Sequence, residues 1–164
     1  MKTRQKDRDV PPPESPWSEI RQGLWMGGHV WAGEVHVVVG HEFDLVLSLF
    51  QRDGHGPPPD VEHHYAEMPD GPLTPSQIGQ VERFAGLAAD AVRAGRSTLV
   101  RCHAGYNRSG LVVAQALVEL GLGVPEAIAL IRKRRSPWAL HNELFVKYLE
   151  SGLPTARLLS GLES

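Results

Sequence analysis

The sequence is poor in cysteine and in long hydrophobic segments. Cys102 is the single cysteine, which excludes an internal disulfide and a cysteine-rich zinc site and is typical of proteins in a reducing compartment. No apolar run approaches the roughly 20 residues that a helix needs to span a bilayer. No hydrophobic segment follows the charged residues 1–9 as it would in a secretory signal. We therefore expect a cytoplasmic protein that does not bind membranes.

An excess of one sign of charge is also lacking. The chain has 17 lysines and arginines against 19 aspartates and glutamates, a net charge of −2, and its pI is near 6.4. Such a protein has no general attraction for polyanions, so nucleic acid is a disfavoured partner. Hydrophobic residues make up 41% of the 164 residues, which suits one ordinary domain with its own core. The sequence carries no signal of oligomeric state.

Two proline-rich segments interrupt the chain. Residues 1–16 combine mixed charge with several prolines, which predicts a disordered or loosely packed arm. Residues 53–60 (DGHGPPPD) predict an exposed loop between two strands. We expect the folded domain to span residues 17–155 and residues 156–164 to form a C-terminal tail.

The pattern of apolar residues predicts an α/β fold. The clearest helix is Thr74–Gly95, because Thr74 and Gln77 form a capping box around Pro75 at the first helical position. Short apolar segments predict strands at Leu24–Met26, Asp44–Phe50, Val61–Met68 and Ser97–Arg101. Further helices are predicted from Ser109 to Gly121, from Pro125 to Arg135 and from Asn142 to Ser151. Strands followed by a strand between helices are typical of the α/β class.

The segment from Cys102 to Gly110 (CHAGYNRSG) lies between a predicted strand and a buried helix. Backbone N–H groups at a helix start form an anion site. A cysteine there is stabilised as a thiolate nucleophile by the helix terminus and by Arg108, whose planar guanidinium matches phosphate oxygens. Gly105 allows the loop to curve with its amides inward. The alternative is a structural cysteine in an ordinary turn.

The motif, a cysteine followed six residues later by arginine and then serine, resembles the signature of the cysteine-dependent protein tyrosine phosphatases. The resemblance is to their small dual-specificity-like branch and extends from about Ile20 to Gly152. Residues 20–27 resemble the opening strand of that branch, residues 44–49 its second strand and residues 136–145 its closing helical region. This resemblance implies a central mixed, largely parallel sheet flanked by helices, with the phosphate-binding loop between a strand and a central helix.

The resemblance also implies a role for each residue of the site. Cys102 would be the nucleophile, Asp70 the general acid and Ser109 a donor to the departing thiolate. The phosphate oxygens would be bound by Arg108 and by the loop amides of His103, Ala104, Gly105, Tyr106, Asn107 and Arg108. The sequence around Asp70 also fits an ordinary turn. The scheme requires neither a metal nor another cofactor.

Several residues near the motif leave two interpretations open. Arg101 stands where the family usually has histidine; it either replaces the hydrogen bonds of that histidine or stabilises the thiolate with its charge. His103 is expected at the rim of the pocket. Trp138 either borders the loop or fills the core. The cationic run 132–135 is interpreted as a solvated helix end, which the macrodipole favours, rather than as an RNA-binding patch.

A metal site is not expected. The candidate ligands are His55, His63, His64, Asp53 and Asp60. Their spacing does not match a pair of ligands on one helix face, and they fall on a predicted loop and a predicted strand.

The leading hypothesis is a phosphatase that acts on phosphotyrosine, and also on phosphoserine or phosphothreonine, in proteins or peptides through a cysteinyl-phosphate intermediate. One alternative is an RNA 5′-end phosphatase, because residues 105–110 are also similar to the loop of metal-independent RNA triphosphatases. The acidic pI and the absence of lysine from the loop disfavour it. Another is an inactive phosphopeptide-binding module, which would need neither Cys102 nor Asp70.

Overall fold

The computed structural model describes residues 11–33 and 35–163. Its strands are β1 (Trp17–Arg21), β2 (Leu24–Gly28), β3 (Val30–Trp31), β4 (Val35–His36), β5 (Leu45–Ser48), β6 (Glu62–Tyr65) and β7 (Thr98–Cys102). Its helices are α1 (Pro75–Arg93), α2 (Arg108–Glu119), α3 (Val124–Arg134), α4 (Glu143–Ser151) and α5 (Leu153–Glu163). In this part of the chain, no helix is long and apolar enough to cross a membrane.

Five of these strands form the central sheet, in the order β1-β2-β7-β5-β6. The edge strand β1 is antiparallel to β2, whereas β2, β7, β5 and β6 pair in parallel. The predicted mixed, largely parallel sheet is therefore confirmed. In the register of β2 and β7, Gly28 lies opposite Cys102, so the end of β2 supports the start of the loop that follows Cys102.

Helix α1 begins as the local sequence predicts. The Gln77 N–H donates to Thr74 Oγ1 at 3.2 Å, and the Thr74 N–H donates to Gln77 Oε1 at 2.9 Å, which completes the capping box. Gly95 follows the helix with a φ of +74°, a left-handed conformation that glycine adopts without strain. The helix prediction is confirmed, and α1 positions the segment that precedes it, which carries Asp70.

Helix α2 lies at the centre of the fold. It packs against α1, α3, α4 and β7, and all but a few of its residues are buried. A helix that is apolar on nearly every side requires such an environment. Because α2 is held from several directions, its first residue, Arg108, has a fixed position relative to the end of β7.

A second, smaller apolar cluster covers the opposite face of the sheet. It contains Val39, Phe43, Val46 and Leu99, with Trp17 and Trp25 packed against it. Side chains alternate between the two faces of a strand. Accordingly, Val100 and Cys102 belong to the main core while Leu99 belongs to the second cluster. The side chain of Arg101 therefore emerges on the face opposite to Cys102.

The structure differs from the sequence-based expectations at both ends of the domain. Residues 20–27 do not form one strand, because a turn at Gly23, with a φ of +85°, separates β1 from β2. Pro13, in the expected arm, is buried, and its carbonyl accepts from Trp31 Nε1 at 2.7 Å. Residues 1–10 of that arm lie outside the described residues.

The expected tail from residue 156 begins inside helix α5. This helix packs against α1 and α4, and it buries Leu153 and Ala156. Gly152, with a φ of +90°, ends α4 and allows a new helix to start at once, with Pro154 in its first turn, where proline is tolerated. The leucines at positions 158, 159 and 162 are exposed, so the apolar residues of this segment do not follow its buried face and do not predict the helix. The limits of the domain remain a prediction.

Candidate active site

The loop from Cys102 to Arg108, called the signature loop below, connects β7 to α2. Its first carbonyls are bound by the residue that follows β2: the His29 N–H donates to the carbonyls of Cys102 and His103 at 3.0 and 2.8 Å. The Tyr106 carbonyl accepts from the Leu140 N–H at 3.1 Å. Because the N–H and C=O of a peptide unit point in opposite directions, carbonyls directed outward turn amides toward the centre of the loop.

Two glycines allow this loop to lie close to β2. Gly105 has a φ of +80°, and a Cβ there would lie 2.6 Å from the Gly27 carbonyl carbon. At Gly28, a Cβ would lie 2.6 Å from the His103 carbonyl oxygen. Both distances are shorter than any contact that a real Cβ makes, so each position requires glycine.

The sulfur of Cys102 lies within the curve of the signature loop. The Gly105 N–H donates to Sγ at 3.3 Å, and Ser109 Oγ lies 3.3 Å from the same sulfur. The cysteine side chain is 2% exposed. A thiolate at this position can accept hydrogen bonds from both a backbone amide and a hydroxyl group, which are donors that stabilise negative charge on sulfur.

Arg108 is directed toward the same region from the start of α2. Its Nη1 donates to the Met68 carbonyl at 3.1 Å, and its guanidinium carbon lies 5.9 Å from the centre of the Phe50 ring. Its Nε is buried and has no hydrogen-bond partner among the described residues. A buried donor without a partner is costly, and an anion in the loop would satisfy it.

Asp70 lies on the segment between β6 and α1, residues 66–74, called the acid loop below. Its carboxylate accepts from Asn107 Nδ2 at 2.9 Å and from Asn142 Nδ2 at 2.7 Å. The loop is anchored before Asp70 by Arg108, and after it by Tyr148, whose hydroxyl accepts from the Leu73 N–H at 3.1 Å. The carboxylate is therefore tied directly to the signature loop.

The structure thus brings the predicted residues into one site. Cys102, Arg108 and Ser109 lie around the signature loop, and Asp70 reaches it through Asn107. His103 is half-buried, with its ring edge against Phe50 at a centroid distance of 5.1 Å. Burial, followed by the charge of Arg108, lowers the pKa of His103. The catalytic and binding roles of these residues remain predictions.

Residues 132–134 are exposed, as expected for a solvated helix end, and Arg135 corrects that interpretation for the last position of the run. Its side chain is buried; Nε donates to the Gly105 carbonyl at 3.1 Å, and Nη1 donates to the Pro16 carbonyl at 3.0 Å. Arg132 is also engaged, since its Nε donates to the Ala139 carbonyl at 3.0 Å. Arg135 follows the last residue of α3 and turns back to the signature loop, whereas the three cations on the last turn of the helix are exposed. The local sequence contains no signal that separates Arg135 from them.

Arg101 is fully buried on the other face of the sheet. Its Nε donates to Ser48 Oγ at 3.1 Å, one Nη donates to Gln51 Oε1 at 2.9 Å, and the other donates to the His55 carbonyl at 3.3 Å. Burial lowers its pKa to about 10. These contacts tie Arg101 to a loop, residues 49–56, on the face away from Cys102, and so disfavour direct stabilisation of the thiolate.

Three histidines form a hydrogen-bonded chain beside that loop. His29 Nε2 contacts the Phe50 carbonyl at 2.7 Å, the two Nδ1 atoms of His29 and His55 lie 3.1 Å apart, and His36 Nδ1 lies 3.2 Å from His55 Nε2. A carbonyl only accepts, so His29 carries its proton on Nε2 and accepts at Nδ1. Burial, then the charge of Arg101, lowers the pKa of His29 to about 3. Neutral rings satisfy every contact of this chain.

The candidate metal ligands do not converge. His63 contacts Ser48 Oγ at 2.8 Å and His64 contacts Glu62 at 2.9 Å. Asp60 pairs with His41 at 2.9 Å. Within residues 11–33 and 35–163, no group of three histidine, cysteine or acidic side chains is arranged to hold a metal ion.

Trp138 is stacked on His141, at a centroid distance of 3.9 Å. Because His141 contacts Asn107 of the signature loop, Trp138 borders that loop through His141.

A parallel strand that ends in a buried cysteine, followed by a curved loop and a buried helix, is the arrangement that the resemblance to small dual-specificity-like cysteine phosphatases implies. This chain is a phosphatase of the protein-tyrosine/dual-specificity type, as the following similarities indicate. Dual specificity protein phosphatase 1B of Arabidopsis thaliana is 28% identical over 134 residues, which cover 81% of this chain and 79% of that protein. No protein-family model matches the sequence.

Solved structures share the fold. Human DUSP28 superposes with a TM-score of 0.69 and 22% identity, over 85% of this chain and 94% of that chain. OH1 from the Orf virus superposes with a TM-score of 0.61 and 19% identity, over 90% of this chain and 95% of that chain. At these identities the likeness establishes the architecture, and the reaction at the site has to be argued from its own residues.

Proposed function

We propose that the protein hydrolyses phosphate monoesters on tyrosine, and also on serine or threonine, in proteins or peptides. The observation that carries this proposal is the environment of the Cys102 sulfur. It faces the Gly105 amide and Ser109 Oγ, at the start of a loop whose arginine, Arg108, has a buried Nε without a partner among the residues that the structure describes. Donors that surround a nucleophile in this way suit a tetrahedral anion beside the sulfur.

In the first step, the Cys102 thiolate attacks phosphorus as the bond from phosphorus to the leaving oxygen breaks. Arg108 and the amides of the signature loop bind the three remaining oxygens, whose charge they neutralise. Asp70 transfers its proton to the leaving oxygen, so that the product departs as an alcohol or a phenol. The result is a cysteinyl-phosphate and an ionised Asp70.

In the second step, water attacks the phosphorus of the intermediate and the bond from sulfur to phosphorus breaks. The ionised Asp70 accepts the proton of the water, and orthophosphate is formed. Ser109 donates a hydrogen bond to the departing sulfur, which leaves as a thiolate. The cycle returns both groups to their starting protonation states and consumes no cofactor.

The walls of the site support phosphoprotein substrates. Phe50 is half-buried beside Arg108, and an aromatic face next to the guanidinium suits the ring of phosphotyrosine. Asp70 is exposed, which fits a shallow site that also accepts shorter phosphoresidues. The Orf virus relative is a tyrosine phosphatase with triple substrate specificity. The signature loop contains no lysine, which disfavours substrates with several phosphates. The single cysteine of the chain suits action in the reducing cytoplasm.

A panel of substrates tests the proposal. Phosphotyrosine, phosphothreonine and phosphoserine peptides and RNA with a 5′-triphosphate end are incubated with the protein in excess chelator, and released orthophosphate is measured. We expect release from the phosphotyrosine peptide first and from the other peptides more slowly. The Cys102→Ser variant, prepared in parallel, is the control for contaminating phosphatases. Release from RNA with none from the peptides would replace this proposal by the RNA alternative, and no release from any substrate would contradict it.

A further inference from the structure

The carboxylate of Asp70 is held by two side-chain amides from distant parts of the chain. Asn107 Nδ2 donates to Oδ2 at 2.9 Å, and Asn142 Nδ2 donates to Oδ1 at 2.7 Å. Asp70 itself is exposed, on a loop between Pro69 and Gly71. A free aspartate at such a position would sample several rotamers. The two amides bind both oxygens at once and select one orientation.

The amide of Asn107 can face Asp70 in only one way. Its Oδ1 accepts from the backbone N–H of Asn142 at 3.0 Å, so its Nδ2 must be the group that faces Asp70. The same Nδ2 lies 3.1 Å from His141 Nε2. His141 Nδ1 lies 2.9 Å from the Trp138 carbonyl, which can only accept. The ring therefore carries its proton on Nδ1 and presents a lone pair to Asn107.

The amide of Asn142 is oriented by helix α4. Asn142 is the N-cap residue, and its Oδ1 accepts from the backbone N–H groups of Leu144 and Phe145 at 3.1 and 3.4 Å. Since the oxygen is used by the cap, the NH₂ group points away from the helix and toward Asp70. One side chain thus begins a helix and binds the carboxylate.

We propose that Asn142 and Asn107 are positioning residues for the proton transfer by Asp70. This inference rests on the proposed function. Each carboxyl oxygen has two lone pairs, so an oxygen that accepts one amide hydrogen can still carry the proton. The amides hold the carboxyl group so that this proton points at the leaving oxygen. Correct geometry of a proton donor is worth a large part of its catalytic effect.

Two variants of Asn142 separate this role from helix capping. Asn142→Ser keeps a good N-cap and removes the donor to Asp70. Asn142→Asp also keeps the cap and replaces the donor by a second carboxylate. Glu143→Gln is the matched control, because Glu143 is an exposed neighbour in the first turn of α4. Thermal unfolding of each variant checks that the fold is intact.

The readout is the dependence of kcat on the leaving group. We expect Asn142→Ser to lower kcat by about tenfold for a phosphotyrosine peptide, a part of the roughly 10²–10⁴ that a positioned acid supplies. For an activated aryl phosphate, whose leaving group needs little protonation, the loss should stay below about twofold. KM should not change. In a protein that already carries Asp70→Asn, adding Asn142→Ser should lower kcat no further.

The pH profile gives an independent readout. In Asn142→Asp, two carboxylates in contact would share a proton, because like charges so close cannot both ionise freely. The alkaline limb of the kcat profile should therefore move to higher pH, and the Glu143→Gln profile should match that of the unchanged protein. An unchanged alkaline limb would show that residue 142 does not contact the carboxyl group that transfers the proton, which contradicts the proposal.

The proposal and the proposed function fail in different ways. If Asp70→Asn lowers kcat for the peptide by the full factor while Asn142→Ser loses equally on both substrates, the positioning role is wrong and the phosphatase mechanism stands. The same conclusion follows if the double variant loses kcat by the product of the factors lost in Asp70→Asn and in Asn142→Ser. If Asp70→Asn itself has no effect on any substrate, the proposed role of Asp70 fails, and with it the role of its two amides.

Discussion

Two loops beside the site are each held by a buried arginine, but on opposite faces of the sheet. Arg135 donates to carbonyls of the signature loop, and Arg101 donates to the loop of residues 49–56. Neither guanidinium pairs with a carboxylate in the part of the chain that the structure describes. Each guanidinium donates instead to uncharged backbone and side-chain oxygens.

A buried arginine without a carboxylate partner keeps most of its positive charge. A carboxylate would cancel the charge, whereas carbonyl dipoles leave it largely in place. Beneath the signature loop, the charge of Arg135 adds to the positive potential where an anion is proposed to bind. On the far face, Arg101 points away from Cys102, and its contacts join strand β5 to the loop. We therefore expect the first loop to control chemistry and the second to control stability.

The largest effect is expected at the centre of the signature loop. Cys102→Ser should abolish turnover, because a serine hydroxyl is not ionised near neutral pH, while phosphate-ester binding by Arg108 and the loop amides is largely retained. Binding is measured by titration with a non-hydrolysable phosphotyrosine analogue, and turnover by orthophosphate release. Activity that remains after contamination has been excluded would contradict the covalent mechanism.

The next effect tests the support beneath that loop. Arg135→Leu leaves the Gly105 and Pro16 carbonyls without donors, and each unsatisfied group costs about 1–3 kcal/mol. We expect unfolding at lower denaturant concentration, together with a fall in kcat/KM by about 10²-fold, because the loop loses its geometry. Arg134→Ala, an exposed neighbour, is the control. Unchanged kcat/KM in folded Arg135→Leu would remove the link between this cation and catalysis.

The corresponding change on the other face should separate the two loops. Arg101→Leu loses its donors to Ser48, Gln51 and His55 and should destabilise the protein by roughly 3 kcal/mol, measured by urea unfolding. At temperatures where it remains folded, kcat/KM should fall less than tenfold. If Arg101→Leu lost more activity than Arg135→Leu, the assignment of catalysis to the loop held by Arg135 and of stability to the loop held by Arg101 would be wrong.

The smallest effect concerns the pH dependence of stability around the loop of residues 49–56. The pKa of His29 is lowered to about 3 in the fold, against an ordinary value of about 6.5. Its neutral ring therefore contributes stability that is present above pH 6.5 and is lost as the pH falls below it. Between pH 6.5 and 5 this loss amounts to at most about 2 kcal/mol. His29→Gln should show a shallower decrease in unfolding free energy over this range, and an identical slope would contradict the assignment.

Features that depend on neighbouring residues were predictable from the sequence. The capping box of α1 involves Thr74 and Gln77, and the strand, loop and helix around Cys102 follow each other within one short segment. Local hydrogen bonds and apolar periodicity are sufficient to specify such units. The class of fold followed from their order.

Features that depend on distant residues were not predictable. Asn142 lies 72 positions from Asp70, and Arg135 lies 30 positions from Gly105. The local sequence does not distinguish Asn142 from an ordinary N-cap residue, or Arg135 from the exposed cations at positions 132–134 that precede it. Only the packing of α3 and α4 beside the signature loop brings their donors to these acceptors.

The sequence by itself thus determined the α/β class, the main helices and the cysteine and arginine of the candidate site, because motif spacing and capping act over a few residues; Asp70 was indicated by the family resemblance. The tertiary structure decided how the carboxyl group of Asp70 is held, which arginines are buried and which face of the sheet Arg101 occupies. The physical reason is that a hydrogen bond between distant segments forms only after the chain has folded, and many sequence positions could supply its donor.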